Sequence, residues 1–156
     1  MIRRGSHADV PFMRAMLAHA YHWHVAGLET DIPLSRYVDG WGRTGDVVVI
    51  AAEGVNRNGA AWFRRFPASS PGYGFVDAQT PELTIAVVPS MRRHGLGQEL
   101  LDGLLEKARA EGVAQVSLSV QKGSDAVAFY ERNGFAAVGE PHAVLTNRAL
   151  TMVKQL

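Results

Sequence analysis

Hydrophobic positions change their period several times along this chain, and each change marks an element. Ile2 to Arg4 reads as a short strand, and Asp9-Val10-Pro11 as a helix start with an N-cap and an early proline. Phe12, Met13, Met16, Leu17 and Ala20 then recur at the spacing of one helix face. From Tyr21 to Gly45 the period is lost among His, Trp, Tyr and Gly, with one short helix expected over Leu34 to Val38. Those aromatic residues in irregular backbone suit a binding rim.

Asp46 to Ala52 (DVVVIAA) is β-branched and apolar, and Asn56-Arg57-Asn58-Gly59 reads as the turn leading to a partner strand, Ala60 to Phe66. Pro67 to Pro81 is a long loop. Leu83 to Val88 is a central strand stopped by Pro89. Leu96, Leu100, Leu101, Leu104, Leu105 and Ala108 form a helical stripe ended by Gly112, too brief for a coiled coil. Gln115 to Val120 alternates, with Val116, Leu118 and Val120 on one side. Ser124 opens a helix that packs Ala126, Val127, Phe129 and Tyr130 inward and stops at Asn133-Gly134. Phe135 to Val138 and Ala143 to Val153 supply the last strands. The pattern predicts one α/β (α+β) domain over residues 1–156: a mixed, mainly antiparallel sheet of about seven strands, parallel only around the central crossover helix, with about four helices.

Composition narrows the chemistry. The chain has 156 residues, enough for one core that buries about 70% of the unfolded surface. Sixteen Lys and Arg against fifteen Asp and Glu leave a formal charge of +1, which argues against nucleic acid as a partner and makes any anion site local. Cysteine is absent, which removes disulfides, thiolate metal sites and a thiol nucleophile. No stretch has membrane-spanning or signal-peptide length, so the expectation is a soluble, cytoplasmic protein without a membrane partner. His19, His22 and His24 lack a third ligand of carboxylate type nearby, and no metal site is expected.

Residues 89 to 98 change from basic and flexible to helical. The first N–H groups of a helix have no intrahelical partner, and its dipole places about half a positive charge there. Gly95 and Gly97 let backbone amides approach an anion, and Arg92, Arg93 and His94 add charge. The segment therefore asks for a phosphate or pyrophosphate. A Walker loop fails on glycine spacing and the missing Lys-Ser/Thr, and a dinucleotide fingerprint fails because Leu100 stands where its third glycine belongs.

The remaining pattern, Arg/Gln-x-x-Gly-x-Gly/Ala, is met by Arg92-Arg93-His94-Gly95-Leu96-Gly97, and here the sequence resembles the GNAT superfamily of acyl-coenzyme A dependent N-acetyltransferases. A second block, Ala126, Phe129-Tyr130 and Gly134-Phe135, matches the family's next signature at the proper separation. The resemblance covers nearly the whole chain and is weakest from Tyr21 to Gly45. It implies acetyl-CoA as acyl donor, lying where the fourth and fifth strands splay. The pyrophosphate would rest on the amides of Arg93 to Gln98, so Arg92, Arg93, His94, Gly95, Leu96, Gly97 and Gln98 bind the donor, with the backbone of Ile85, Ala86 and Val87 along its pantetheine and thioester.

Tyr130, at the family's general-acid position, would protonate the departing thiolate, with Phe129 beside it. Glu82 is either the base that deprotonates the amine or a solvated strand-start charge. Where the family carries Asn before the second helix, this chain has Gly123-Ser124, and Ser124 either supplies a hydroxyl to the donor or serves only as an N-cap. The fifth strand offers Leu118 where some relatives carry an acid. Transfer to a primary amine of a small molecule, peptide or protein is one reading, and an acyl-CoA binding or sensing module without transfer is the other. The acceptor is not legible, and exposed terminal strands suggest a homodimer.

Overall fold

The computed structural model describes residues 1–22, 32–138 and 149–156. Seven strands follow the hydrogen-bonded order β1-β2-β3-β4-β5-β7-β6: β1 (Ile2–Arg4), β2 (Val47–Glu53), β3 (Asn56–Arg64), β4 (Glu82–Val87), β5 (Gln115–Gln121), β6 (Ala136–Ala137) and β7 (Ala149–Gln155). Three α-helices accompany them among the described residues: α1 (Val10–Ala20), α2 (Leu96–Ala110) and α3 (Asp125–Arg132). The short helix expected near Leu34 is a 3₁₀ turn, Leu34–Tyr37.

The fold divides into two compact units. Met1–His22, Leu34–Arg64 and Leu83–Gly112 form the first; among the described residues, 32–33, Arg65–Glu82, 113–138 and 149–156 form the second. In the first unit β2 pairs antiparallel with β1 and β3. The hairpin turn is Gly54-Val55, with Glu53 opposite Asn56, so the expected turn at 56–59 lies inside β3. A register shift between Ala51 and Ala52 absorbs the displacement. Gly59 has a packing reason to be glycine: a Cβ there would meet Leu100 Cδ1 at 2.9 Å and the Ala86 carbonyl at 3.0 Å. Leu100, Leu101, Leu104, Leu105 and Ala108 of α2 are buried as a stripe, the four leucines contributing about 2 kcal/mol each.

Two ion clusters fasten this unit. Asp9 sits at the N-cap of α1 but does not cap it through its side chain. Its carboxylate receives both Nη atoms of Arg3 at 2.9 and 2.8 Å, Arg57 Nε at 2.7 Å and the Ser6 amide at 2.8 Å. Arg64, 1% exposed, forks onto Asp46 at 3.1 and 2.6 Å and donates to the carbonyls of Arg36 and Asp39. Its guanidinium also lies 5.1 Å from the centre of the Trp41 ring. Tyr21 and Tyr37, expected on a rim, are core residues 3% and 1% exposed, with ring centres 4.7 Å apart. The Tyr21 hydroxyl meets Thr84 Oγ1 of β4 at 2.9 Å.

In the second unit β5 and β7 pair antiparallel from Gln115↔Gln155 to Gln121↔Ala149, and β6 joins the far side of β7. Residues 143–148, expected to begin the last strand, lie outside the described residues. β4 meets β5 at a single parallel pair, Glu82↔Ser117, beside a Ser117 amide to Pro81 carbonyl bond of 3.0 Å. The loop preceding β4 lies against β5: a Cβ on Gly74 would stand 2.6 Å from the Leu118 carbonyl carbon.

Candidate active site

The basic segment forms a turn and helix start within the first unit. After β4, the 3₁₀ turn Pro89–Met91 leads to Arg92 in extended backbone, Arg93 at φ 66° and Gly95 at φ 80°, the N-cap of α2. A left-handed conformation at a non-glycine residue costs about 1–2 kcal/mol, so the strain at Arg93 points to a backbone shaped for a purpose. Gly95 supplies no side-chain cap, and the first helical bond is Glu99 N–H to the Gly95 carbonyl at 3.1 Å. The amides of Leu96 and Gly97, in the first turn, therefore lack an intrahelical acceptor. A nest of amides at the positive end of a 15-residue helix fits an anion.

The side chains around the nest are compatible with that charge. Arg92, Arg93 and His94 are exposed. Arg92 Nε approaches the Val87 carbonyl at 3.4 Å, and His94 Nδ1 lies 2.8 Å from the Arg92 carbonyl. No carboxylate pairs with Arg92 or Arg93 among the described residues. Gln98 Nε2 donates to Asp102 Oδ1 at 2.9 Å. Ile85, Ala86 and Val87 follow on β4. The Val88 amide bonds the Asn58 carbonyl of β3 at 2.9 Å, which fixes the strand just before the turn.

The remaining predicted residues lie in the second unit. Tyr130 on α3 is held edge-on between Phe129 and Phe135, with ring centres 5.2 and 5.5 Å away and interplanar angles of 69° and 66°. Burial pushes its phenol above the ordinary value of about 10, so it carries its proton at neutral pH. Gly134 at φ 89° ends the helix, and the Phe135 amide returns to the Tyr130 carbonyl at 3.0 Å, which locks the aromatic trio.

Ser124 occupies the N-cap position of α3 without making the cap hydrogen bond; its Oγ is buried and has no partner among the described residues. Glu82 is 1% exposed, so it is not a solvated strand-start charge. Sequence reasoning missed Ser117 and Ser119, whose hydroxyls are likewise buried without partners. The signal was present in the alternation of QVSLSV, which sends serines to the face opposite Val116, Leu118 and Val120.

Among the described residues no three His, Asp or Glu side chains come together, and no helix is long and apolar enough to cross a membrane. His24 and Trp23 lie outside the described residues.

A comparison with curated protein sequences found no match. Among solved structures, the ribosomal-protein-alanine N-acetyltransferase from Brucella melitensis is similar with a TM-score of 0.72 and 25% identity, covering 100% of this chain and 99% of its own. A putative acetyltransferase from Salmonella typhimurium with acetyl-CoA gives 0.72 at 20% identity, covering 99% and 92%. An N-acetyltransferase from Thermoplasma acidophilum in complex with coenzyme A gives 0.67 at 15% identity, covering 100% and 98%, and these last two likenesses speak for the fold. Residues 13–135 match the model of the acetyltransferase (GNAT) family, and the chain belongs to that family.

Proposed function

We propose that this enzyme moves the acetyl group of acetyl-CoA to a primary amine by direct transfer. Membership of the family makes it an acetyltransferase. The observation that carries the donor assignment is the left-handed Arg93 and Gly95 immediately before α2, which turn a run of amides toward one anion. Arg93, His94, Gly95, Leu96, Gly97 and Gln98 would hold the diphosphate through their backbone, with Arg92 and Arg93 adding charge-assisted contacts. Ile85, Ala86 and Val87 would line the pantetheine and thioester, and N–H groups on the β4 edge that faces away from β3 would stabilise negative charge on the thioester oxygen. The orphaned Ser124 hydroxyl, with Phe129 near it in sequence, would serve the pantetheine arm in place of asparagine.

Acetyl-CoA supplies an activated acyl group on a sulfur leaving group. Tyr130 would hold the proton that the departing sulfur takes; its raised phenol pKa is consistent with an acid that stays protonated until then. Glu82, buried at the start of β4, would take the proton released by the amine. An ammonium of pKa near 10.4 is mostly protonated at neutral pH, so such a base is needed. The acceptor would be a small-molecule amine or the amine of a peptide or protein, and the Brucella neighbour's description makes an alanyl N-terminus one amine to include.

The test is the release of free thiol from acetyl-CoA with an alanyl tripeptide, spermidine and a lysine amide, each product checked by mass for one added acetyl group. Thiol release that depends on one of these amines is expected. Tight acetyl-CoA binding with no transfer to any primary amine would overturn the proposal.

A further inference from the structure

Helix α3, which carries Tyr130, is fastened mainly at its C-terminal end. Its eight residues make little more than two turns, a length that needs tertiary contacts to persist in water. None of the eight is fully buried, and Ser124 makes no side-chain cap at the N-terminus. At the other end the carbonyls are taken up in turn. Asn133 Nδ2 donates to the Phe129 carbonyl at 2.9 Å, the Asn133 and Phe135 amides to the Tyr130 carbonyl at 3.0 Å each, and the Gly134 amide to the Glu131 carbonyl at 3.0 Å. Lys154 Nζ, on β7, donates to the Asn133 carbonyl at 2.8 Å. Of these bonds the last is the one that ties the helix end to another element.

Lys154 does not fit the pattern of its own strand. On β7, Leu150, Met152 and Lys154 stand opposite Val120, Leu118 and Val116 of β5, so a lysine ends a row of apolar pairs on one sheet face. Val116 is 0% exposed, and an aliphatic neighbour would suit it better than an ammonium. Gly134 makes room for the lysine head: at φ 89° it takes the backbone out of the helix, and a Cβ there would stand 2.6 Å from Lys154 Nζ and 3.8 Å from its Cε. A cation at the C-terminal end of a helix also meets the negative end of the dipole.

We propose that Lys154 is a positioning residue for acetyl transfer: by holding the Asn133 carbonyl it fixes the end of α3 and, through it, the Tyr130 hydroxyl. This rests on the reading of Tyr130 as the acid for the departing sulfur and adds the residue that sets its place. Tyr130 lies one turn before Asn133, and its own carbonyl is bonded by the amides on either side of Gly134, so a shift at Asn133 is passed to the Tyr130 backbone. Proton transfer needs heavy atoms within about 2.6–3.2 Å, and a misplacement of about 1 Å can cost about 100-fold in rate. The diphosphate is gripped at the turn before α2, so donor affinity should depend little on Lys154.

The experiment compares Lys154→Met, which keeps the stem and removes the ammonium, with Lys154→Arg, which keeps a cationic donor. Both are made in the unaltered enzyme, and Lys154→Met also in Tyr130→Phe. Thiol release is followed with whichever of the alanyl tripeptide, spermidine or lysine amide is accepted best. In Lys154→Met a kcat lower by roughly 10- to 100-fold is expected, with acceptor KM and calorimetric acetyl-CoA affinity little changed and most of the rate kept in Lys154→Arg. In the Tyr130→Phe background the same substitution should lower kcat no further, because the hydroxyl it positions is gone. Should the methionine variant not fold, Lys154→Gln, with an N–H donor and no charge, carries the same comparison. An unaltered kcat in Lys154→Met would overturn the inference. So would an equal loss with and without the Tyr130 hydroxyl, because Lys154 would then be structural only. Unaltered turnover in Tyr130→Phe alone would instead refute the acid assignment beneath it.

Discussion

Replacing Tyr130 with phenylalanine removes one oxygen from a ring that is otherwise held by carbon contacts. The edge-on packing against Phe129 at 5.2 Å and Phe135 at 5.5 Å is kept by the Phe ring, so folding stability at neutral pH should change by no more than about 0.5 kcal/mol. The effect on turnover should be much larger. A positioned general acid is typically worth about 10²- to 10⁴-fold, equivalent to about 3–5 kcal/mol of barrier. Because burial holds the phenol pKa above its ordinary value, the folded state favours the neutral group. Its contribution to stability is complete below the unfolded pKa of about 10 and is lost as pH rises from there through the raised folded value. Tyr130→Phe should abolish that alkaline loss. The assay is steady-state thiol release at saturating acetyl-CoA, paired with calorimetric acetyl-CoA binding. A kcat reduced at least 100-fold with unchanged donor affinity is expected. Unaltered turnover with every accepted amine would refute the acid assignment.

Gly95→Ala meets no neighbour within 4 Å, so its cost is conformational, about 1–2 kcal/mol for a left-handed alanine. Relaxation of that strain turns the amides aside, and calorimetry should show acetyl-CoA bound about tenfold more weakly. Asp9→Asn should lower stability by about 2 kcal/mol in denaturant melts, less than for a fully enclosed pair, because the Arg3 and Arg57 side chains are 38% and 35% exposed and can rehydrate. Hydrogen bonding from Arg3, then Arg57 and the Ser6 amide, holds the Asp9 carboxyl below its usual pKa. Its contribution is therefore present above about pH 4 and lost as pH falls below it, and the asparagine variant should lack that acid-dependent loss. Gly74→Ala pushes a methyl to 2.6 Å from rigid β5 backbone and should cost about 1–3 kcal/mol, seen as a melting temperature lower by about 2–4 °C per kcal/mol.

The features legible in the sequence were those set by local chemistry. Glycine spacing at 95 and 97, the leucine stripe of α2 and the proline at 89 each constrain their own backbone, and the structure has the turn, helix and strand end they predict. What failed depended on neighbours distant in sequence. Asn56 to Gly59 has turn composition, yet the approach of Leu100 and the Ala86 carbonyl explains Gly59, and the turn falls at Gly54-Val55. Asp9 resembles a helix cap until Arg3 and Arg57 are brought to it. Glu82 stays open between a base and a solvated charge in the sequence because its burial comes from pairing with Ser117, 35 positions later, and the serines themselves were hidden behind the apolar half of their own alternation. Arg64 and Asp46, a buried pair, carry no local mark at all.

The central claim is that the turn from Arg93 to Gln98 grips a diphosphate, and comparing two acyl donors tests it most directly. Acetyl-CoA and S-acetyl-pantetheine share the thioester and the pantetheine arm, but only the first carries the diphosphate. Calorimetric titration of the unaltered protein should give measurable heat with acetyl-CoA and an affinity for S-acetyl-pantetheine weaker by at least about 100-fold, the loss of two charge-assisted contacts. Equal affinity for the two, or no heat with acetyl-CoA, would contradict the account.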